Sequence, residues 1–208
     1  TRATATSSSS LTKMPETPVR TPLGVFGGTF DPVHFGHLRL AEEAADALAL
    51  ERVRWIPAGW PALRGAPRVA ARQRLEMVRL ATAGNPRFEL DSAEVDTAAP
   101  SYTVPTLERL RADAAIGRSR PLVLLVGADA FAGMTGWHRW QSLFELAHIG
   151  VAHRPGYPVE AESLSPALAE VFRARLSTDV ADLAAAPAGC VATFAMTQLD
   201  ISATKIRA

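Results

Sequence analysis

Leu23-Gly-Val-Phe-Gly-Gly-Thr-Phe-Asp-Pro-Val-His34-Phe-Gly-His37 is the stretch whose reading decides the fold. Leu23 to Phe26 reads as a short buried strand, Gly27-Gly28 as a sharp turn, and Asp31-Pro32 as further turn chemistry. Gly36-His37 leads into Leu38 to Leu50, a run of Leu, Ala and Glu that predicts a helix. Without β-carbons, Gly27 and Gly28 let a phosphate approach the backbone. The free N–H groups and positive dipole end of the following helix favour an anion at the same place. His34 and His37, three residues apart at the helix start, can point into one space.

Outward from this stretch the chain alternates. Arg52 to Ile56 predicts a second strand ending at Pro57, Ala58 to Ala70 a loop, and Ala71 to Ala83 a helix spaced on Leu75, Val78 and Leu80. Gly84-Asn85-Pro86 stops that helix; Phe88 to Leu90 predicts a short strand and Thr103 to Ala115 a helix with Pro105 in its first turn. Pro121 to Val126 is an uninterrupted apolar run, the pattern of a strand covered on both faces. Helix is predicted around Trp140 to Ala147 and weakly over Glu160 to Leu176, strand over His148 to His153 and Val191 to Met196, and a last helical turn begins at Ser202. Such alternation predicts a doubly wound α/β fold, one mostly parallel sheet in a single domain over 22–208. Ligands of such sheets bind at the carboxyl ends of the strands, near the switch in strand order. The segment 1–21, rich in Ser, Thr and Pro, is expected to be flexible, and Met14 is a candidate natural start.

Composition excludes several classes. The 22 Lys and Arg against 21 Asp and Glu leave a formal net charge of +1, with no global pull toward nucleic acid or anionic membrane. No apolar run approaches the ~20 residues of a membrane span, and no signal peptide's apolar core is present. The single cysteine, Cys190, opens an apolar run and reads as a small core residue; a chain without disulfides fits the cytoplasm. Neither a P-loop nor a GxGxxG signature occurs, which argues against a P-loop NTPase and a dinucleotide-binding dehydrogenase.

Two separated segments carry a family resemblance. Gly27-Gly-Thr-Phe-Asp-Pro-Val-His34-Phe-Gly-His37 is similar to the nucleotide-binding signature of the HxGH nucleotidyltransferase superfamily, and Ile201-Ser-Ala-Thr-Lys-Ile-Arg207 is similar to its second signature. Within that superfamily the chain resembles the bacterial nicotinate mononucleotide adenylyltransferases, from about Leu23 to Arg207. The resemblance implies transfer of AMP from ATP to nicotinate mononucleotide, giving deamido-NAD and pyrophosphate, with Mg2+ carried by the ATP phosphates and no protein-held metal. It implies catalytic roles for His34 and His37, and ATP contacts from Gly27, Gly28, Thr29, Phe30, Gly36, Ser202, Thr204, Lys205 and Arg207. On the acceptor side it implies Tyr102 and Thr103 for the nicotinate carboxylate, Trp137 for stacking on the pyridine ring, Asp129 for ribose or magnesium-bound water, and Arg154 near the nucleotide.

The chain departs from the family at Ala203, where the superfamily often has Ser, and at Ala62 and Leu63, where a Pro and a His precede the basic Arg64. Family members also continue past Arg207 into a further helix, which predicts a loosely held Arg207 here.

Each assignment has a simpler counterpart. His34 and His37 can be buried, satisfied histidines or a metal pair completed by Asp31. Ser202 can be a plain N-cap, as can Asp129 and the Ser101-Tyr102-Thr103 segment; Arg154 can be an exposed turn residue. Trp140 and Arg74 read as structural. The rival functions are another adenylyltransferase, with phosphopantetheine or nicotinamide mononucleotide as acceptor, a non-catalytic nucleotide-binding regulator, and a scaffolding protein.

Overall fold

A computed structural model describes residues 21–62, 65–197 and 199–208. The expected flexible segment, but for Thr21, lies outside the described residues, as do Leu63 and Arg64. The elements in order are β1 (Leu23–Gly28), α1 (Phe35–Ala47), β2 (Arg52–Pro57), α2 (Ala71–Thr82), β3 (Phe88–Leu90), α3 (Thr103–Ala112), β4 (Leu122–Gly127), α4 (Ala128–Ala132), α5 (Leu143–Leu146), β5 (His148–His153), α6 (Pro166–Arg175), α7 (Ala181–Ala185), β6 (Val191–Ala195) and α8 (Ala203–Ile206). Short 3-10 turns lie between α4 and α5 and ahead of α6.

The six strands form one sheet in the order β3-β2-β1-β4-β5-β6, and every pairing is parallel. This is the doubly wound order, and its direction reverses between β1 and β4. One face carries Leu23, Val25, Leu122, Leu124 and Val126 against residues of α3, α4, α5 and α6. The other carries Phe26, Trp55, Val123 and Leu125 against α1, Val78 of α2 and Leu183 of α7. Leu107, Leu110 and Phe131 are fully buried, and cutting any of them to Ala costs roughly 3 kcal/mol or more.

Local details differ from the expected boundaries. β1 does not stop at Phe26: Gly27 pairs with Ile56 and Gly28 with Pro57, so the turn starts at Thr29. α1 begins three residues before Leu38 because His34 holds the extended N-cap conformation. It ends at Ala47, capped by Leu48, with Ala49 left-handed at φ 49°. α3 stops at Ala112 because the Asp113 carboxylate accepts the Ala115 N–H and holds a turn. In α2 the buried stripe is Arg74, Val78 and Thr82, while Leu80 is 61% exposed. The short helices α4 and α7 were not anticipated.

Candidate active site

The corner between β1 and α1 is built by close contacts. A β-carbon on Gly28 would stand 2.8 Å from the Phe30 ring, so Gly28 makes room for that ring. Gly27 has open space, its nearest neighbour 4.0 Å from an added β-carbon, and is the glycine a phosphate can approach. Phe30 is left-handed at φ 49° and 2% exposed, so it can offer a ligand only its main chain. Asp31 is buried; one carboxylate oxygen accepts the Arg68 N–H at 2.8 Å, and the other has no hydrogen-bond partner among the described residues.

The two imidazoles lie together, ring centroids 3.8 Å apart and tilted by 33°. A β-carbon on Gly36 would press on His34 Nδ1 at 3.0 Å. The backbone N–H of His34 donates to Nδ1 of His37 at 3.2 Å. A neutral His37 therefore carries its proton on Nε2. Phe30 stands edge-on to His37 at 5.1 Å and fixes the ring further. Burial pushes the His34 pKa down, and its Nδ1 is buried with no partner among the described residues.

The C-terminal motif closes onto this corner. Ser202 is the N-cap of α8, its Oγ accepting the Lys205 N–H at 3.2 Å. Ile201 packs at Gly36, its Cγ2 3.5 Å from the position of an added β-carbon. Arg207 is held rather than loose: it is half-buried and Nη1 donates to the Asp31 carbonyl, with the Asp31 carboxylate 4.0 Å away. Its Nε is buried, with no hydrogen-bond partner among the described residues. Lys205 pairs instead with exposed Asp200, and Thr204 is exposed.

The expected acceptor residues come from four loops. Tyr102 is the extended N-cap of α3, its ring 4.8 Å from the His138 ring, and Thr103 is the first helical residue. Ser101 N–H is spent on the Trp60 carbonyl at 2.7 Å, so this donor is not open to an anion. Behind α3, Thr106 donates its hydroxyl to the Glu94 carboxylate, whose pKa burial pushes up. Trp137, next to His138, is half-buried against the core; Trp140 faces the Phe144 ring edge-on at 6.2 Å. Asp129 is exposed in the first turn of α4, after β4. Arg154 is exposed directly after β5, in a turn bridged to Tyr157. Gly27, Asp129 and Arg154 thus stand at the carboxyl ends of β1, β4 and β5, across the switch in strand order.

Arg74, expected as structural, is 1% exposed and grips the Thr29 carbonyl. Sequence reasoning missed two contributors. Asp31 is a hub and not only a turn residue. His138 sat unremarked between two tryptophans. Cys190 is half-buried against the second core face, burial pushing its thiol pKa up. Among the described residues, no group of three or more His, Cys, Asp or Glu is placed to hold a metal, and no helix is long and apolar enough to cross a membrane.

A parallel sheet with paired imidazoles and incompletely bonded polar groups at its β1–α1 corner defines a nucleotide-binding transferase domain. The family model described as cytidylyltransferase-like matches residues 25–208. A curated relative from Dechloromonas aromatica, "Probable nicotinate-nucleotide adenylyltransferase", is 64% identical over 186 residues, covering 89% of this chain and 85% of that protein. Its namesake from Halorhodospira halophila is 48% identical over 190 residues, covering 91% and 84%. In fold, the chain is similar to Plasmodium falciparum nicotinic acid mononucleotide adenylyltransferase complexed with NaAD, at a TM-score of 0.64 and 10% identity, covering 90% and 83% of the two chains. The same enzyme complexed with APC matches at 0.59. The chain belongs to the cytidylyltransferase-like family and, within it, to the nicotinate-nucleotide adenylyltransferases.

Proposed function

We propose that the chain transfers the adenylyl group of ATP to nicotinate mononucleotide, forming deamido-NAD and releasing pyrophosphate, a step of NAD biosynthesis carried out in the cytoplasm. The observation that carries this reading is the β1–α1 corner, where His34 and His37 stack and Arg207 is held on Asp31, three residues before His34. A phosphate oxygen of the acceptor attacks the α-phosphorus of ATP, and the bond to the bridging oxygen of pyrophosphate breaks. The attacking phosphate is already ionised near neutral pH, so the site supplies position and donors rather than a base.

His37 donates from Nε2 to the α-phosphate, its tautomer set by the His34 N–H. Two protonated imidazoles 3.8 Å apart repel, which favours a neutral His34 beside the reacting centre. Gly27, Thr29 and the first turns of α1 and α8 receive the ATP phosphates through main-chain N–H groups, Lys205 leaving Asp200 to join them. Magnesium would be carried by those phosphates and would supply charge neutralisation there. Tyr102 and Thr103, at the start of α3, take the nicotinate carboxylate, while Trp137 stacks on the pyridine ring, Asp129 accepts hydrogen bonds from ribose or orients magnesium-bound water, and Arg154 lies near the nucleotide.

Nicotinamide mononucleotide tests the carboxylate assignment. It presents a neutral amide to the start of α3 and is expected to be used with kcat/KM about tenfold lower or worse. Equal use of both acceptors in a pyrophosphate-release assay contradicts the roles given to Tyr102 and Thr103.

A further inference from the structure

The buried guanidinium of Arg74 joins three separate segments of main chain. Nη1 donates to the Thr29 carbonyl at 2.6 Å, Nη2 to the Gly59 carbonyl at 3.0 Å, and Nε to the Val69 carbonyl at 3.0 Å. Thr29 lies in the turn that leads to His34 and His37. Gly59 precedes Trp60, and Trp60 is tied to the start of α3 from both sides. Its N–H donates to Ser101 Oγ at 3.2 Å and its carbonyl accepts the Ser101 N–H at 2.7 Å. A continuous set of hydrogen bonds thus runs from the phosphate corner, through one side chain, to the segment holding Tyr102 and Thr103.

We infer that Arg74 is a positioning residue for adenylyl transfer, holding the ATP corner at Thr29 and the acceptor segment at Ser101-Tyr102 in fixed register through the Gly59-Trp60 backbone. The inference rests on the reading of the two subsites given above. Three observations support it. A guanidinium fork is rigid, and Arg74 meets three carbonyls with it. At 1% exposure the side chain is shielded from water, so each bond fixes its carbonyl firmly. The segments it joins follow β1 and β2, the adjacent strands whose carboxyl ends face the ligand. An in-line displacement depends on the distance between attacking oxygen and phosphorus, so slack in this register lowers turnover more than it lowers the affinity for either nucleotide.

The test is Arg74→Lys, which keeps the charge and loses the fork, assayed for magnesium-dependent pyrophosphate release with ATP and nicotinate mononucleotide well below its Tm. The expected result is kcat about tenfold lower or more, as befits a misplaced reacting pair. Both KM values are expected to stay within about threefold of wild type, with an unchanged circular dichroism spectrum. Wild-type kcat per folded molecule would overturn the inference, and so would a loss confined to the KM of one nucleotide. Should Arg74→Lys not fold, Ser101→Ala decides, since it removes the Oγ acceptor at the far end of the set. A lowered kcat with near-normal KM values supports the register role, and a wild-type kcat overturns it. An inactive wild-type chain would overturn the functional reading and this inference together, whereas an active one with indifferent variants overturns the inference alone.

Discussion

The two ends of the sheet hold the same kinds of side chain and use them differently. At the amino ends of β4 and β5, Arg111 donates to the carbonyls of Leu146, Arg118, Arg120 and Pro187, and fully buried His148 bonds the Ala186 carbonyl through Nε2 and the Cys190 N–H through Nδ1. At the carboxyl end, Arg74 also grips three carbonyls. At the same end, however, His34 Nδ1, one Asp31 oxygen and Arg207 Nε are buried without partners among the described residues. Buried polar atoms without partners cost about 1–3 kcal/mol each, a cost that a bound ligand can relieve. At the amino end His148 and Arg111 act as staples, although Arg120 Nε there is also buried without a partner among the described residues; at the carboxyl end the unpartnered atoms lie at the corner that the proposed function gives to substrate.

The contrast breaks most sharply through its histidines and arginines. His37→Ala is expected to lower kcat by about 10²–10⁴-fold with the thermal melt nearly unchanged. A small effect on kcat would place the chemistry elsewhere. Arg111→Ala is expected to do the reverse, costing about 3 kcal/mol of stability while kcat per folded molecule holds. Urea denaturation and initial rates on the same samples separate the two. Trp137→Ala sharpens the acceptor side: removing the stacking ring is expected to raise KM for nicotinate mononucleotide by about tenfold and that for ATP by less. Equal effects on both would count against stacking.

The smallest expected effect is on pH. Burial pushes the pKa of His148 down in the folded state. As pH falls past about 6.5 the unfolded chain takes up the proton first, so stability is full above that value and declines below it. Protonation would also remove the acceptor of the Cys190 N–H. His34 shifts in the same direction and adds to the slope. Melting temperatures measured from about pH 8 to pH 5 should fall, and the fall should be shallower in His148→Gln.

Much of this architecture was legible because it depends on local pattern. The apolar run ending at Val126 became the buried strand β4, the alternation of strands and helices became the parallel sheet, and Ser202 became the N-cap of α8. The paired histidines were legible from their spacing, and the structure stacks them. The remainder depended on contacts remote in sequence. Arg74 reads as structural, but its partners, carbonyls 45 and 15 residues away, leave no mark in the sequence. The space required by the Phe30 ring at Gly28, the grip of Arg207 on Asp31 across 176 residues, and the stacking of His138 on Tyr102 leave no periodic trace. Five-residue helices such as α4 and α7 are too short to show a helical period.

Pyrophosphate release from ATP with magnesium tests the central claim most directly, run with nicotinate mononucleotide, with phosphopantetheine and with no acceptor. The account predicts rapid release with nicotinate mononucleotide and near-background release in the other two. Release with phosphopantetheine instead would contradict the roles given to Tyr102 and Trp137. ATP binding without release in any of the three would contradict catalysis at the His34–His37 corner.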